Sequence, residues 1–491
     1  MWNIARARGF AWRCALGLLL ALGALLRLFD LNDPPLDFHP TRQLRNSLVA
    51  RSIYYDAWPQ ASSEQRLQAQ TFRRAVGLYE PPIMESLVGF TFLITGESFA
   101  VPRLYQTAFW LLAGLALFDL ARRTTSVPGA LVGLGYFLIL PFAVQGSRSF
   151  QPDPLMTAAF AVGIYFLHRW SEEHEWKWAL LAGALLGFSA LVKIVSAFMI
   201  GAAVIAVLLS LGISRTWRSK QVWALAGLMV LPALLYYVVA RPGRATEYFF
   251  AWTVALIGLV TSPDFYSKWL AFLGSLFGLT MLTLSLLGAI FAQPRLRAIL
   301  IGSWAGYVVY GLTLPFQMYT HSYYHLQLLP VAALGIAALA TPLMDRIGTL
   351  DRFWRAAAVG LVTLAAAYEA WVARSVLVAE DFRQEPAFWQ EVGRAIPDSA
   401  EVIALTQDYG YRLMYWGWKK VDLWPITTEL SGVRGGTQDP VADFASLTDG
   451  MDYFLVTAFG QLDKQPGLSE VLSQLPVAAE GPGYVLYDLR E

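Results

Sequence analysis

The 491-residue sequence holds a single cysteine, Cys14, and it lies inside the first hydrophobic run. One thiol cannot build a disulfide framework or a cysteine-based metal site. Charge is scarce as well: Asp, Glu, Lys and Arg make up 15% of the chain, and 37 basic against 36 acidic residues leave a formal net charge of +1. Nucleic acid needs a basic excess to hold its phosphates, and this balance argues against it as a partner. The chain has no Gly-x-Gly-x-x-Gly, no Gly-x4-Gly-Lys-Ser/Thr, no His-Glu-x-x-His and no Cys-x-x-Cys. A soluble nucleotide cofactor is therefore unsupported, since those spacings build the usual phosphate cradles and metal sites. A convincing internal repeat, as many transporters carry, is also missing.

What is abundant is apolar surface. Hydrophobic residues make up 56% of the chain and mean hydropathy is +0.45, in long runs that a soluble core would not need. This is the composition of a polytopic helical membrane protein. Residues 10–29, with Arg6 and Arg8 ahead of them and Arg13 near their start, are long enough to span and lack small residues at a cleavage position. They are expected to form a retained helix with a cytoplasmic N-terminus.

Further spans are expected at 102–121, 128–145, 150–168, 178–192, 196–212, 222–240, 268–291, 297–314, 325–342 and 355–375. The apolar stretch 83–96 is short and contains Glu85, so it reads as an interfacial or re-entrant helix. Charge supports that choice. Without a span at 83–96, the basic loops at Arg122-Arg123, Arg169 with Lys177, Arg215-Arg218-Lys220, Arg295-Arg297 and Arg346-Arg352-Arg355 all fall on the side of the N-terminus. The expectation is about eleven transmembrane helices, with the C-terminus outside.

That topology gathers polar residues at the outer face. The first loop, 30–101, opens with Leu36-Asp37-Phe38-His39-Pro40-Thr41-Arg42-Gln43-Leu44-Arg45. If the chain is helical from Thr41 to Tyr55, Arg42 and Arg45 share a side, behind a carboxylate and an imidazole. Such a segment can take a proton at one end and hold an anion at the other. Alternatively, Asp37 caps the helix and the arginines meet lipid headgroups. Farther on, the same face receives Arg148, Asp153, Lys193, Arg241, Arg244 and the cluster His321, Tyr324, His325.

Each of these has a plainer reading. Lys193 between two spans needs a phosphate, a carboxylate partner or a snorkelling path. Asp153 before Pro154 fits a helix N-cap, and the His-Tyr cluster fits an interfacial aromatic belt. From about residue 376 the chain has ordinary polarity, with β-rich runs at 402–406, 453–457 and 484–489 and amphipathic segments at 386–395 and 468–475. These predict a small extracytoplasmic α/β domain over 376–491, beside a transmembrane domain over 1–375.

The pattern over 10–345 resembles the GT-C membrane glycosyltransferases. It is similar in particular to glycosyltransferase family 39, which includes the protein O-mannosyltransferases and the lipid A aminoarabinose transferases. The resemblance rests on Leu28-Phe29-Asp30 leading to Asp37, on Glu80-Pro81-Pro82-Ile83, and on Gly96-Glu97-Ser98-Phe99-Ala100-Val101-Pro102-Arg103-Leu104. It rests also on Arg148…Asp153-Pro154-Leu155, on Gly187…Leu191-Val192-Lys193, and on Tyr323-Tyr324-His325-Leu326 with Pro330. Two positions depart from the pattern. Asp37 is followed by Phe38-His39 where the family often has Asp-Glu, and Glu80 stands where a Lys or His usually precedes Pro-Pro.

The resemblance implies an inverting transfer of a sugar from a polyprenyl-phosphate donor to a protein, lipid or glycan acceptor at the outer face of the cell membrane. Asp37 would be the general base and Asp153 a second carboxylate. His39, Arg42, Arg45, Glu80, Arg103, Arg148, Lys193, Arg241, His321, Tyr324 and His325 would bind substrate. The resemblance implies no cofactor; Asp37 and Asp153 could share a divalent metal, but the sequence shows no dense ligand cluster for one. A transporter or flippase of a lipid-linked or anionic substrate is the alternative.

Overall fold

A computed structural model describes residues 2–240, 250–427, 441–442 and 444–490. The chain forms two compact units. The first comprises Met1–Leu31, Leu78–Met84 and Ala100–Glu380; the second comprises Asn32–Gly77, Glu85–Phe99 and Asp381–Glu491. Most of the long first loop therefore belongs with the C-terminal region, a grouping different from a cut at residue 375.

The first unit contains α1 (Trp2–Leu28), and the second α2 (Pro40–Ala57), α3 (Ser63–Val76) and most of α4 (Ile83–Thr95). The first unit resumes with α5 (Ala100–Thr124), α6 (Val127–Ile139), α7 (Pro141–Arg148), α8 (Pro152–Glu173), α9 (Trp176–Val192) and α10 (Ala197–Leu211). It closes with the helices Lys220–Leu234, Pro263–Phe277, Leu279–Phe291, Pro294–Thr313, Leu329–Thr349 and Arg352–Leu377. Among the described residues, 7 helical stretches are long and apolar enough to cross a membrane, or up to 9 if each of two bent pairs is one span. The expected total of about eleven is reached only if α8 and α9 also cross. The chain is a multi-span membrane protein. At 13 residues, α4 is the short helix expected for 83–96.

Both bent pairs have identifiable causes. α6 and α7 meet at 57°, at Pro141. Proline has no N–H, so the Phe137 carbonyl loses its helical donor. Trp110 supplies one, its Nε1 donating at 3.3 Å while its ring stacks on Phe137 at 4.4 Å. Arg27 of α1 fills the rest of the break. Its Nη1 donates to Leu138 O at 2.9 Å and Gly23 O at 2.8 Å, and its Nε donates to Ser147 Oγ at 2.7 Å.

The second bend falls inside the stretch 268–291, where the sequence predicts a span. Pro263–Phe277 and Leu279–Phe291 meet at 90°, at Gly278, whose φ of 75° is readily adopted only by glycine. The first of the two is amphipathic and buries Phe265, Trp269, Leu273 and Phe277, one per turn. Apolar periodicity alone did not reveal that break.

The second unit packs helices with a five-stranded sheet of order β2-β1-β3-β5-β4. Here β1 is Val402–Leu405, β2 Asp422–Leu423, β3 Tyr453–Val456, β4 Val477–Gly481 and β5 Tyr484–Asp488. β1 runs parallel to β2 and β3, while β5 is antiparallel to β3 and β4. The core gathers Ile403, Leu405, Phe454 and Val456 with Trp424, Leu468 and Leu472. The three β-rich runs of the sequence became β1, β3 and β5. The two-residue β2 and the largely exposed β4 carry little apolar signal and were not anticipated. α3 opens on a capping box: Gln65 N donates to Ser62 Oγ at 3.1 Å and Ser62 N to Gln65 Oε1 at 3.0 Å.

Candidate active site

In the second unit the segment around Asp37 is tightly built. Two prolines fix the backbone at Pro34-Pro35, and Leu36 N donates to Pro34 O at 2.8 Å. Gln43, buried one turn into α2, donates from Nε2 to Phe38 O at 2.7 Å and to Pro35 O at 3.2 Å. Those carbonyls flank Asp37, so one side-chain amide secures the chain on both sides of the carboxylate. The N-cap of α2 is His39, with a left-handed φ of 49°, no side-chain cap bond, and its ring edge-on to Phe38 at 4.8 Å. Asp37 thus lies two residues ahead of the N-cap and does not occupy the capping position. Arg42 is half-buried and Arg45 buried in the first turns of α2.

Two turns farther along α2, Arg51 is a hub that the sequence reading passed over. Its Nε meets Glu97 Oε2 at 2.7 Å, Nη1 donates to Tyr415 O at 2.5 Å, and the guanidinium lies 3.7 Å from the Tyr415 ring centroid. Burial opposes the Arg51 charge, yet Glu97 and the neighbouring phenols more than compensate, so its pKa is raised. Burial first, then Glu97, pushes Tyr55 up to about 12. Ion pairing with Arg51 is local to this unit and holds α2 against the C-terminal region.

Close to Asp37 in the same unit lies a strained turn. Asp408, Tyr409 and Gly410 have φ of 49°, 56° and 71°, three left-handed residues in succession. For non-glycine residues that conformation costs about 1–3 kcal/mol each and survives only where the surroundings over-determine it. Here Asp408 accepts from Thr41 Oγ1 at 3.0 Å and from Arg412 Nε at 2.6 Å, and Arg412 pairs with Glu385 at 3.0 Å.

In the membrane unit the decisive feature is the pair Asp153–Lys193. Gln151 is the N-cap of α8, which places Asp153 inside the first turn and not at the cap. Lys193 is the extended residue between α9 and the turn leading to α10. Lys193 Nζ reaches Asp153 Oδ1 at 2.7 Å, with side-chain exposures of 4% and 0%. The ammonium also lies 4.6 and 4.5 Å from the ring centroids of Tyr323 and Tyr324. A carboxylate and two π faces compensate the buried charge, and burial sets the snorkelling reading aside. Tyr324 stacks on Tyr310 at 6.1 Å, and half-buried His321 stands edge-on to Tyr323 and Tyr324.

Other candidates are engaged with the protein. His325 is fully buried: Nε2 faces Met318 O at 3.1 Å and Nδ1 faces Tyr307 Oη at 2.6 Å. A carbonyl only accepts, so Nε2 carries a proton. Arg148 donates to Phe29 O at 2.6 Å and Asp30 O at 2.9 Å; Arg103 donates to Leu31 O at 2.7 Å and Asp30 O at 3.3 Å. These two guanidiniums bind the backbone where α1 ends, around Asp30 with its φ of 50°. Glu80 is half-buried ahead of Pro81-Pro82, and Arg241 lies outside the described residues. Among the described residues no group of three or more His, Cys, Asp or Glu side chains could hold a metal ion.

The architecture is that of the GT-C membrane glycosyltransferases, and the chain resembles glycosyltransferase family 39. Residues 79–239 match the family model described as dolichyl-phosphate-mannose-protein mannosyltransferase. Glu80, Arg103, Arg148, Asp153 and Lys193 lie within that stretch, whereas Asp37, His39, Arg42 and Arg45 precede it. In fold the chain is similar to ArnT from Cupriavidus metallidurans bound to undecaprenyl phosphate, with a TM-score of 0.59, 14% identity, and coverage of 97% of this chain and 98% of that one. It is similar also to the oligosaccharyltransferase AglB from Archaeoglobus fulgidus, in complex with an inhibitory peptide and a dolichol-phosphate. There the TM-score is 0.58 and the identity 13%, with 92% of this chain and 70% of that one covered. No curated protein matches the chain by sequence.

Proposed function

We propose that the protein transfers a sugar from a polyprenyl-phosphate donor to a hydroxyl-bearing acceptor at the outer face of the cell membrane, with inversion. The observation that carries this reading is the ammonium of Lys193, buried in the membrane unit and held by Asp153 under two tyrosine rings. A polyprenyl donor keeps its chain in lipid and presents a phosphate headgroup, for which a fixed cation is the natural counterpart. The acceptor oxygen attacks C1 as the C1–O bond to phosphate breaks, and the phosphate leaves with an added negative charge. A cation already in place gains strength as that charge develops. Asp37 takes the acceptor proton, and Asp153 positions Lys193.

Detergent-purified protein given polyprenyl-phosphate hexose labelled in the sugar tests the proposal. Label should appear covalently on a second molecule. Label that only changes sides of a vesicle, still on its lipid, would point to a transporter instead.

Orientation is tested separately. Reporter fusions after Arg123, Lys220 and Arg297 should read cytoplasmic and one after Val376 external. An external signal after Arg123 would place the proposed chemistry on the wrong side.

Gln43 is assigned a positioning role. Gln43→Leu keeps the side-chain bulk but removes the donor to both carbonyls beside Asp37. Misplacing a catalytic group by about 1 Å costs on the order of 10²-fold. The expected result is a comparable fall in kcat with the KM for donor unchanged, read from steady-state kinetics on folded protein. An unchanged kcat would show that Asp37 is held by other means.

A further inference from the structure

We infer that the turn Asp408-Tyr409-Gly410 is an acceptor-recognition element and that Tyr409 is a platform for a sugar ring of the acceptor. The inference rests on the transfer reading above for the word acceptor, and on the geometry of the second unit for everything else. Three consecutive left-handed residues, two of them not glycine, mark a place where the fold maintains an unfavourable backbone. Aspartate tolerates that conformation through its short polar side chain; tyrosine has no such short polar group. The turn is nonetheless fixed at both ends of the Asp408 carboxylate, by Thr41 at 3.0 Å and Arg412 at 2.6 Å. Thr41 lies four residues beyond Asp37, in the first turn of α2. The strained turn is thereby braced against the helix start that follows the proposed base.

What the strain achieves is display. Tyr409 is 46% exposed, and its ring lies 6.2 Å from that of Tyr411, inclined at 43°. An aromatic ring with a hydroxyl tip offers a flat apolar face and one polar contact at low conformational cost. A pyranose matches that surface, with C–H groups for the ring face and hydroxyls for the rim. The inference therefore commits to an acceptor whose recognised part is a glycan. A peptide acceptor is the rival outcome.

The test uses the full chain in detergent and reads binding apart from transfer. Saturation-transfer NMR is recorded with mannotriose, maltotriose and chitotriose, and with a serine- and threonine-rich peptide. At least one trisaccharide should show transfer to its ring C–H protons, and Tyr409→Ala should weaken it at least tenfold, while Tyr409→Trp retains it. Tyr409→Gly serves as the folding control. It removes the ring and relieves the backbone, so its Tm should equal or exceed that of the parent while sugar binding falls. If no trisaccharide binds, if Tyr409→Ala binds like the parent, or if only the peptide responds, the inference is overturned. Sugar binding lost on Tyr409→Ala in a protein that transfers no label would leave this inference standing and remove the transfer reading. Labelled transfer with Tyr409→Ala indifferent would do the reverse.

Discussion

Asp37→Asn should bind polyprenyl-phosphate sugar with the parent's affinity and turn it over about 10²–10⁴-fold more slowly, the usual worth of general-base help. Asparagine keeps the shape and one acceptor oxygen but cannot take the acceptor's proton. The competing account of Asp37 was helix capping, a role in which Asn and Asp are nearly equivalent. With His39 as the N-cap of α2, that account has lost its position, and the substitution now asks a cleaner question. Single-turnover kinetics with donor binding measured alongside decides it. Turnover within a factor of two of the parent, in folded protein, would remove Asp37 from the chemistry.

Lys193→Met should be the most destabilising of the substitutions considered, because it leaves the Asp153 carboxylate buried without its counter-ion. Breaking one side of such a pair typically costs about 3–5 kcal/mol, whereas replacing both sides by apolar residues is often neutral. The double variant Lys193→Met, Asp153→Leu is therefore expected to recover most of the lost thermal stability. It should not recover binding of free polyprenyl phosphate. This separates architecture from function: if the pair only holds the helices together, the double variant will bind lipid phosphate like the parent. Thermal unfolding in detergent and a lipid-phosphate binding assay provide the two readouts.

The elements legible in the sequence were those with a long signal. Apolar runs located the membrane helices, and the β-branched and aromatic runs located β1, β3 and β5. Local breaks were harder. Gly278 sits inside an unbroken apolar stretch, and only its positive φ distinguishes a 90° corner from a span. At the candidate site the residue types were readable but their partners were not. Lys193 called for compensation, and sequence left phosphate, carboxylate and interface equally open; the structure supplied Asp153, 40 residues earlier. Arg103 and Arg148 were substrate-binding candidates through the family resemblance alone, and their donation to carbonyls at the end of α1 was not legible in the sequence. Gln43 and Arg51 gave little warning, since a glutamine or arginine on a helix is usually solvated. Their roles depend on carbonyls and rings that only folding brings near.

The guanidinium that fills the proline break has a bearing on how the protein is made. Arg27 lies near the end of α1, and its acceptors at Leu138, Ala143 and Ser147 are 111, 116 and 120 residues away. During synthesis α1 enters the bilayer long before those groups exist, and an uncompensated arginine at depth costs roughly 2.5–3.5 kcal/mol. At translation rates of about 5–20 residues per second the interval is on the order of 10 s. Throughout that interval the first helix has reason to sit shallow, tilted or close to the insertion machinery. The α6–α7 corner then acts as a delayed latch, and the founding helix of the membrane unit settles only after α5, α6 and α7 have been made.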